Sequence, residues 1–312
     1  MTPRHPLSGI YAAALTPFKP DDSINLAAVL PFLDLLAAKG CHGALLFGTT
    51  GEGPSLSSTE RQAVLREAVS IRKQHPEFRV LAGTGTPSLE QTVELNRMAF
   101  DLGCQGVVVL PPYYFQKISD DGLFAWFSRV IQRSVPRDGF LLGYHIPSQS
   151  RVPLSLNLLE RLKDSFPTQF AGIKDSSADP EFSALLGQRL GGEFLVLNGS
   201  DRLLTHAMKN QAGGAITAMA NLYSALLRRG WDLITAGKDS GAIQQQLNAR
   251  RDVLEKYPPF PAMLKPLLAR MRGVDCGSVR PPLMSFSEQD VETCRAEFSQ
   301  LDGLEPEAGN VS

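Results

Sequence analysis

The sequence has little of what marks several common protein classes. It carries only 4 cysteines in 312 residues, Cys41, Cys104, Cys276 and Cys294, and none forms a CxxC pair. That spacing argues against a zinc ribbon or a thioredoxin-like motif, and it supplies no disulfide framework. The 5 histidines, His5, His42, His75, His145 and His206, show neither HxH nor HExxH spacing. No metal site is therefore expected. No apolar run reaches the ~18–20 residues needed to span a bilayer. No run of Lys or Arg stands out, and the formal net charge is −1. This speaks against nucleic acid or a membrane surface as a partner. Met1-Thr2-Pro3-Arg4-His5-Pro6 lacks the charged start and apolar stretch of a secretory signal, so the expected setting is reducing and cytoplasmic.

What is present is ordinary in amount and regular in order. Hydrophobic residues make up 43% and charged residues 20% of the chain, as in a soluble globular protein. Short apolar runs alternate with amphipathic stretches as far as residue 235. The expected strands are Gly9–Leu15, Gly43–Phe47, Arg79–Ala82, Gln105–Leu110, Gly139–Tyr144, Phe170–Lys174, Phe194–Leu197 and Gly213–Thr217. Helical spacing fills stretches between them, including Leu26–Lys39, Ser58–Gln74, Leu89–Leu102, Asp121–Gln132 and Leu154–Lys163. The strands read as unbroken apolar runs, as parallel strands covered on both faces do.

Eight such units predict a closed (β/α)8 TIM barrel over residues 1–235. A doubly wound sheet would want a glycine-rich first turn, whereas Thr16-Pro17-Phe18-Lys19-Pro20 stands there. Residues 236–302 predict a C-terminal helical extension, with helices at Ser240–Tyr257, Pro261–Arg272 and Ser287–Gln300. Residues 303–312 read as a loose tail.

In such a barrel, chemistry lies where strands end. Gly48-Thr49-Thr50-Gly51-Glu52 follows the second strand. Its glycines permit close backbone approach, and its N–H groups and hydroxyls suit a carboxylate. A plain turn with threonines capping a helix would read the same way. The terminal Gly-Lys-Ser/Thr of a nucleotide P-loop is missing. Lys174 closes the sixth strand, where an amine in a desolvated mouth can act as a nucleophile at neutral pH. An amine so placed condenses with a ketone to an imine, an electron sink for making or breaking the adjacent C–C bond. A lysine that pairs with Asp175 or snorkels to solvent would occupy the same position. Tyr144 closes the preceding strand, 30 residues before Lys174, and its phenol can shuttle protons during imine formation. Packing is the commoner use of a tyrosine, and Tyr113 and Tyr114 carry the same ambiguity. Each signal is modest alone. Together, at strand ends of one barrel, they reinforce one another. His145, one residue beyond Tyr144, is expected to face the helices because successive strand residues alternate.

These residues carry a family resemblance. The chain resembles the class I aldolase superfamily of dihydrodipicolinate synthase and N-acetylneuraminate lyase from about Gly9 to Phe298. The carriers are Leu15-Thr16-Pro17-Phe18, Gly48-Thr49-Thr50-Gly51-Glu52, Pro112-Tyr113-Tyr114, Gly143-Tyr144-His145-Ile146-Pro147, Gly172-Ile173-Lys174-Asp175-Ser176 and Asn198-Gly199-Ser200-Asp201. The resemblance implies that Lys174 forms the imine, with no external cofactor, and that Tyr144 relays its protons. It implies that Thr49 links Tyr144 to a second tyrosine, from a neighbouring subunit, at the position of Tyr114. Thr49 and Thr50, in the loop opened by Gly48, match the pair that holds the 2-oxo-acid carboxylate. Ile216 matches a residue whose backbone carbonyl faces the substrate. The partners implied are a small 2-oxo acid, an aldehyde, and further copies of the chain in a homotetramer built as a dimer of dimers.

Departures from the pattern bear on the substrate. Gln149 stands where the synthase branch has an arginine for the second substrate's carboxylate; Arg151 lies two residues on. Gln cannot imitate a bidentate guanidinium clamp. Arg202 replaces the second acid of the sialic-acid branch, and Ala218 stands at its serine position. Details such as Arg280-Pro281-Pro282 resemble aldolases of 2-keto-3-deoxy sugar acids, in which Ser176 and Asp201 would meet substrate hydroxyls. The expectation is a carbon–carbon lyase acting on pyruvate and such an acid. The alternatives are dihydrodipicolinate synthase, a deoxy-keto sugar-acid dehydratase, and a non-catalytic 2-oxo-acid-binding barrel.

Overall fold

The structure, a computed structural model, describes residues 5–192 and 194–303. The expected tail lies outside the described residues from Leu304 onward. Eight parallel strands close into a barrel in sequence order. They are β1 (Gly9–Ala13), β2 (Gly43–Leu46), β3 (Arg79–Gly83), β4 (Gly106–Val109), β5 (Phe140–His145), β6 (Phe170–Asp175), β7 (Leu195–Asn198) and β8 (Gly214–Thr217).

Around them run α1 (Val29–Ala38), α2 (Ser58–Ala68), α3 (Leu89–Asp101), α4 (Asp120–Ser134), the four-residue α5 (Pro147–Ser150), α6 (Leu156–Ser165), α7 (Pro180–Leu190), α8 (Leu204–Lys209) and α9 (Ala220–Thr235). Then come α10 (Gly241–Leu254), α11 (Phe260–Arg272) and α12 (Glu288–Gly303). Local chemistry sets several helix starts. Ser57 and Glu60 form a reciprocal capping box on α2. The side chains of Ser88, Ser119, Ser155 and Asp179 accept from early backbone N–H groups of α3, α4, α6 and α7.

Alternation along the strands divides the apolar residues into two sets. Tyr11, Leu45, Leu81, Val108, Leu142, Leu197 and Ile216 fill the barrel interior. Ile10, Ala44, Val80, Val107, Leu141, Ile173, Val196 and Ala215 face the helices, where most of the core sits. This is why the strands look continuously apolar.

Boundaries differ from the sequence expectation where the chain finds other partners. The first strand ends at Ala13 because Leu15 donates its N–H to Asn221 Oδ1 at 3.3 Å rather than continuing the ladder. The helix expected over Ser58–Gln74 is α2 followed by a 3-10 turn, Val69–Lys73. Tyr223 breaks the helical geometry of α9 with φ −124° and ψ 38°. There its ring lies under the guanidinium groups of Arg250 (4.7 Å) and Arg272 (5.5 Å) and beside Phe298. The extension is thus fastened to the barrel at this kink.

Candidate active site

The register of the sheet brings the two expected reactive groups side by side. Tyr144 on β5 pairs with Lys174 on β6, and Lys174 with Leu197 on β7. Ile173 faces the helices, so alternation turns Lys174 inward, beside Tyr144 of the interior set. Lys174 is buried, and its Nζ lies 4.2 Å from the centre of the Tyr144 ring. Thr49 Oγ1 is 3.3 Å from the Tyr144 hydroxyl. Burial pushes the Tyr144 phenol upward. The Lys174 charge opposes this, with hydrogen bonds from Thr49, Lys174 and Ser176, and the phenol settles below its ordinary value. An acidified phenol beside an amine can give and take a proton where an imine forms.

The Gly48–Gly53 turn completes this part of the mouth. Thr49 is exposed while Gly48, Thr50, Gly51 and Glu52 are buried. Thr16 Oγ1 donates to Gly51 O at 2.6 Å, and Arg61 Nη2 donates to Gly53 O at 2.5 Å. A Cβ on Gly53 would stand 2.0 Å from the Phe47 carbonyl oxygen, so only glycine permits this approach. Thr49 and Tyr144 also line a cavity of about 130 Å³ together with Arg61, Tyr113, Leu110 and Gly85. Arg61 is buried, and its guanidinium rests on the carbonyls of Gly53, Gly83 and Leu56. Burial pushes it down to about 10, against the pull of Tyr113.

On the far side, Ser176 N–H donates to His145 O and Gly199 N–H to Asp175 O, at 2.7 and 2.6 Å. A Cβ on Gly199 would fall 1.9 Å from Ser176 Oγ, so Gly199 makes room for that hydroxyl. Asn198 shapes the same loop through both of its amide atoms, accepting from Ser200 N–H and donating to Ser200 O. Ile216, at the end of β8, is buried in the interior set.

Other expected residues lie in different surroundings. Asp201 is fully buried, with its carboxylate 3.0 Å from Arg251 of α10 and also beside Thr217 at the end of β8, so it bridges the barrel and the helical extension. Burial still lifts it above the usual carboxylate range, although Arg251 opposes this. Arg202 is likewise engaged, with Asp252 and Glu255. Tyr114 is 75% exposed and meets Phe115, itself 69% exposed, edge to face. Tyr113, not Tyr114, joins Thr49 in lining the cavity. Gln149 and Arg151 are exposed on and after α5, with Arg151 left-handed at φ 56°. His145 faces outward, accepting from Leu154 N–H and packing on Phe182 of α7. Among the described residues, no group of three or more His, Cys, Asp or Glu side chains is gathered to hold a metal ion.

Sequence reasoning missed Arg61 and Lys265 beneath the glycine loop, and it singled out Arg280 only as a detail of the resemblance. Lys265 did leave a signal. It is a lone charge among Met263, Leu264, Leu267 and Leu268 on the buried face of α11, which calls for a buried partner.

Comparison with known proteins gives the family. The sequence model of the dihydrodipicolinate synthetase family matches residues 6–301. The chain belongs to the dihydrodipicolinate synthetase family. It is 36% identical over 294 residues to an uncharacterized DapA-like lyase of Chloroflexus aurantiacus, covering 94% of this chain and 96% of that protein. It is 35% identical over 294 residues to the 4-hydroxy-tetrahydrodipicolinate synthase of Sorangium cellulosum, covering 91% and 92%. Among solved structures, it superposes on a prophage protein of the dihydrodipicolinic acid synthase family from E. coli K12, solved in complex with pyruvate. The TM-score is 0.86 at 26% identity, covering 95% of this chain and 99% of that one. As a dihydrodipicolinate synthetase family member with this barrel and site, the chain is a lyase.

Proposed function

We propose that the protein is a class I aldolase that forms a Schiff base between Lys174 and a 2-oxo acid, with 2-keto-3-deoxy sugar acids as its substrate class. The observation that carries this is the buried Lys174 amine beside the acidified Tyr144 phenol, itself within reach of Thr49. In this reading Lys174 gives its proton to the Tyr144 phenolate, the free amine adds to the C2 carbonyl, and loss of water gives the imine. Tyr144 takes the proton of the C4 hydroxyl as the C3–C4 bond breaks, and the electron pair moves into an enamine. An aldehyde leaves, C3 is protonated, and water returns pyruvate and the free amine. Thr49 and Thr50 hold the carboxylate, and Ser176 meets a substrate hydroxyl. No external cofactor takes part.

Gln149 is the observation that favours this class over the synthase reaction. A neutral amide offers a second carboxylate no bidentate partner. Support for a multimer comes from the exposed Tyr114–Phe115 pair, since apolar aromatic surface of this kind marks contact sites. In a homotetramer a second copy's Tyr114 would complete the relay through Thr49. Four free cysteines, all buried, support a reducing cytoplasmic setting.

The test is a substrate panel. The protein is expected to cleave 2-keto-3-deoxygluconate to pyruvate and an aldehyde, or to run the reverse condensation with a set of hydroxyaldehydes. Robust turnover of pyruvate with aspartate semialdehyde would instead favour the synthase, and water loss from the keto acid would favour the dehydratase. Pyruvate binding without any turnover would make the barrel a binding protein.

A further inference from the structure

Beneath the glycine loop lies a buried ion pair that reaches into the C-terminal extension. Glu52 is left-handed at φ 54° and fully buried. Its Oε1 lies 2.6 Å from Lys265 Nζ, and its Oε2 accepts the Arg280 backbone N–H at 3.0 Å. Lys265 is 1% exposed, donates to Ser278 O at 2.7 Å, and stands 4.1 Å from the centre of the Phe18 ring. The Arg280 guanidinium stands over the same Phe18 ring at 4.4 Å and also feels the Glu52 charge, but its hydrogen bonds go to Glu60 and the carbonyls of Asp22 and Ser55. Lys265 is thus the side chain in direct ion-pair contact with Glu52.

A buried ion pair is weak evidence for stability, because desolvation offsets the attraction. Its location is what gives it a functional reading. Glu52 puts a buried carboxylate two residues from Thr50, in the loop that receives the carboxylate of the 2-oxo acid. A like charge in a low-dielectric surrounding would repel that substrate. Lys265 cancels it.

We propose that Lys265 is a positioning residue of the 2-oxo-acid site, holding Glu52 neutralised so that the Thr49–Thr50 loop accepts an anion. Pyruvate binding then depends on a charge contributed by α11, outside the barrel proper. This rests on the reading of Thr49 and Thr50 as the carboxylate-holding pair.

The experiment measures, in the full chain, the pyruvate concentration that gives half-maximal borohydride-trapped adduct. Lys265→Met is expected to raise it roughly tenfold or more, because Glu52 loses its ion-pair partner. Glu52→Gln is expected to lower it, because the remaining charge favours an anion. The double variant is expected to return to within about threefold of the wild type. A pair that served only to shape the loop would weaken pyruvate in all three variants, and that result overturns the proposal. Should Lys265→Met not fold, the other two variants decide, since a tenfold weakening in Glu52→Gln contradicts the charge account. If the wild type itself forms no adduct, the reading of the site fails, and the inference with it.

Discussion

Tyr144 and Lys174 are direct neighbours across the β5–β6 ladder, and the lysine nitrogen sits 4.2 Å above the phenol ring. A cation over a ring and a hydroxyl toward Thr49 place charge and proton relay within one small space. Tyr144→Phe keeps the ring and removes the hydroxyl. It is expected to lower the rate of imine formation by about 10²–10⁴ while leaving the fold intact. Time-resolved borohydride trapping with circular dichroism checks this, and an unchanged trapping rate would speak against the relay.

Gly199 and Ser176 form a second dependence. Because a Cβ at Gly199 would fall 1.9 Å from Ser176 Oγ, Gly199→Ala displaces that hydroxyl from its place beside Tyr144. Ser176→Ala and Gly199→Ala are therefore expected to lower turnover by similar factors, with no further loss in the double variant. Independent, multiplying losses would show that the two positions act separately.

Tyr114 is 75% exposed in one chain, yet the proposed relay uses it. Tyr114→Ala is expected to lower kcat while changing the half-saturating pyruvate concentration little. The wild type is expected to sediment as a multimer. A monomer with full turnover would contradict the shared site.

Acid dependence follows from two buried groups on neighbouring strands. Burial holds His145 down at about 4, against 6.5 ordinarily. The unfolded chain thus takes up that proton first, and His145 withdraws stability as pH falls from 6.5 to 4. Asp175 works the other way. Burial raises it from 3.8 to about 6, so the folded chain is protonated first and regains stability as pH falls from 6 to 4. Asp175→Asn is expected to be more stable than the wild type at pH 7 and to lose that advantage by pH 4, a swing of about 2 kcal/mol. Urea melts at pH 4, 5.5 and 7 measure it, and parallel curves for the two proteins would contradict it.

The barrel was legible because parallel strands covered on both faces must be apolar at every position, and all eight such runs are strands of the sheet. The pairing of Tyr144 with Lys174 followed from one βα unit of separation. Other features depend on tertiary partners that no local pattern encodes. The resemblance gives Asp201 to a substrate hydroxyl, and no local pattern foretells that Arg251, 50 residues later, pairs with its carboxylate from the extension. Glu52 reads as the polar end of a glycine turn, and only the packing of α11 against the loop makes it half of a buried ion pair. The exposure of Tyr114 was equally hidden, since nothing in Pro112-Tyr113-Tyr114 distinguishes the half-buried tyrosine from the exposed one.

The central claim is covalent chemistry at Lys174, and one measurement addresses it directly. The protein is incubated with pyruvate, reduced with borohydride, digested and analysed by mass spectrometry. The expected result is a single reduced pyruvate on the peptide containing Lys174, absent from Lys174→Ala. A folded wild-type protein that yields no adduct, or an adduct on another lysine, would contradict the account.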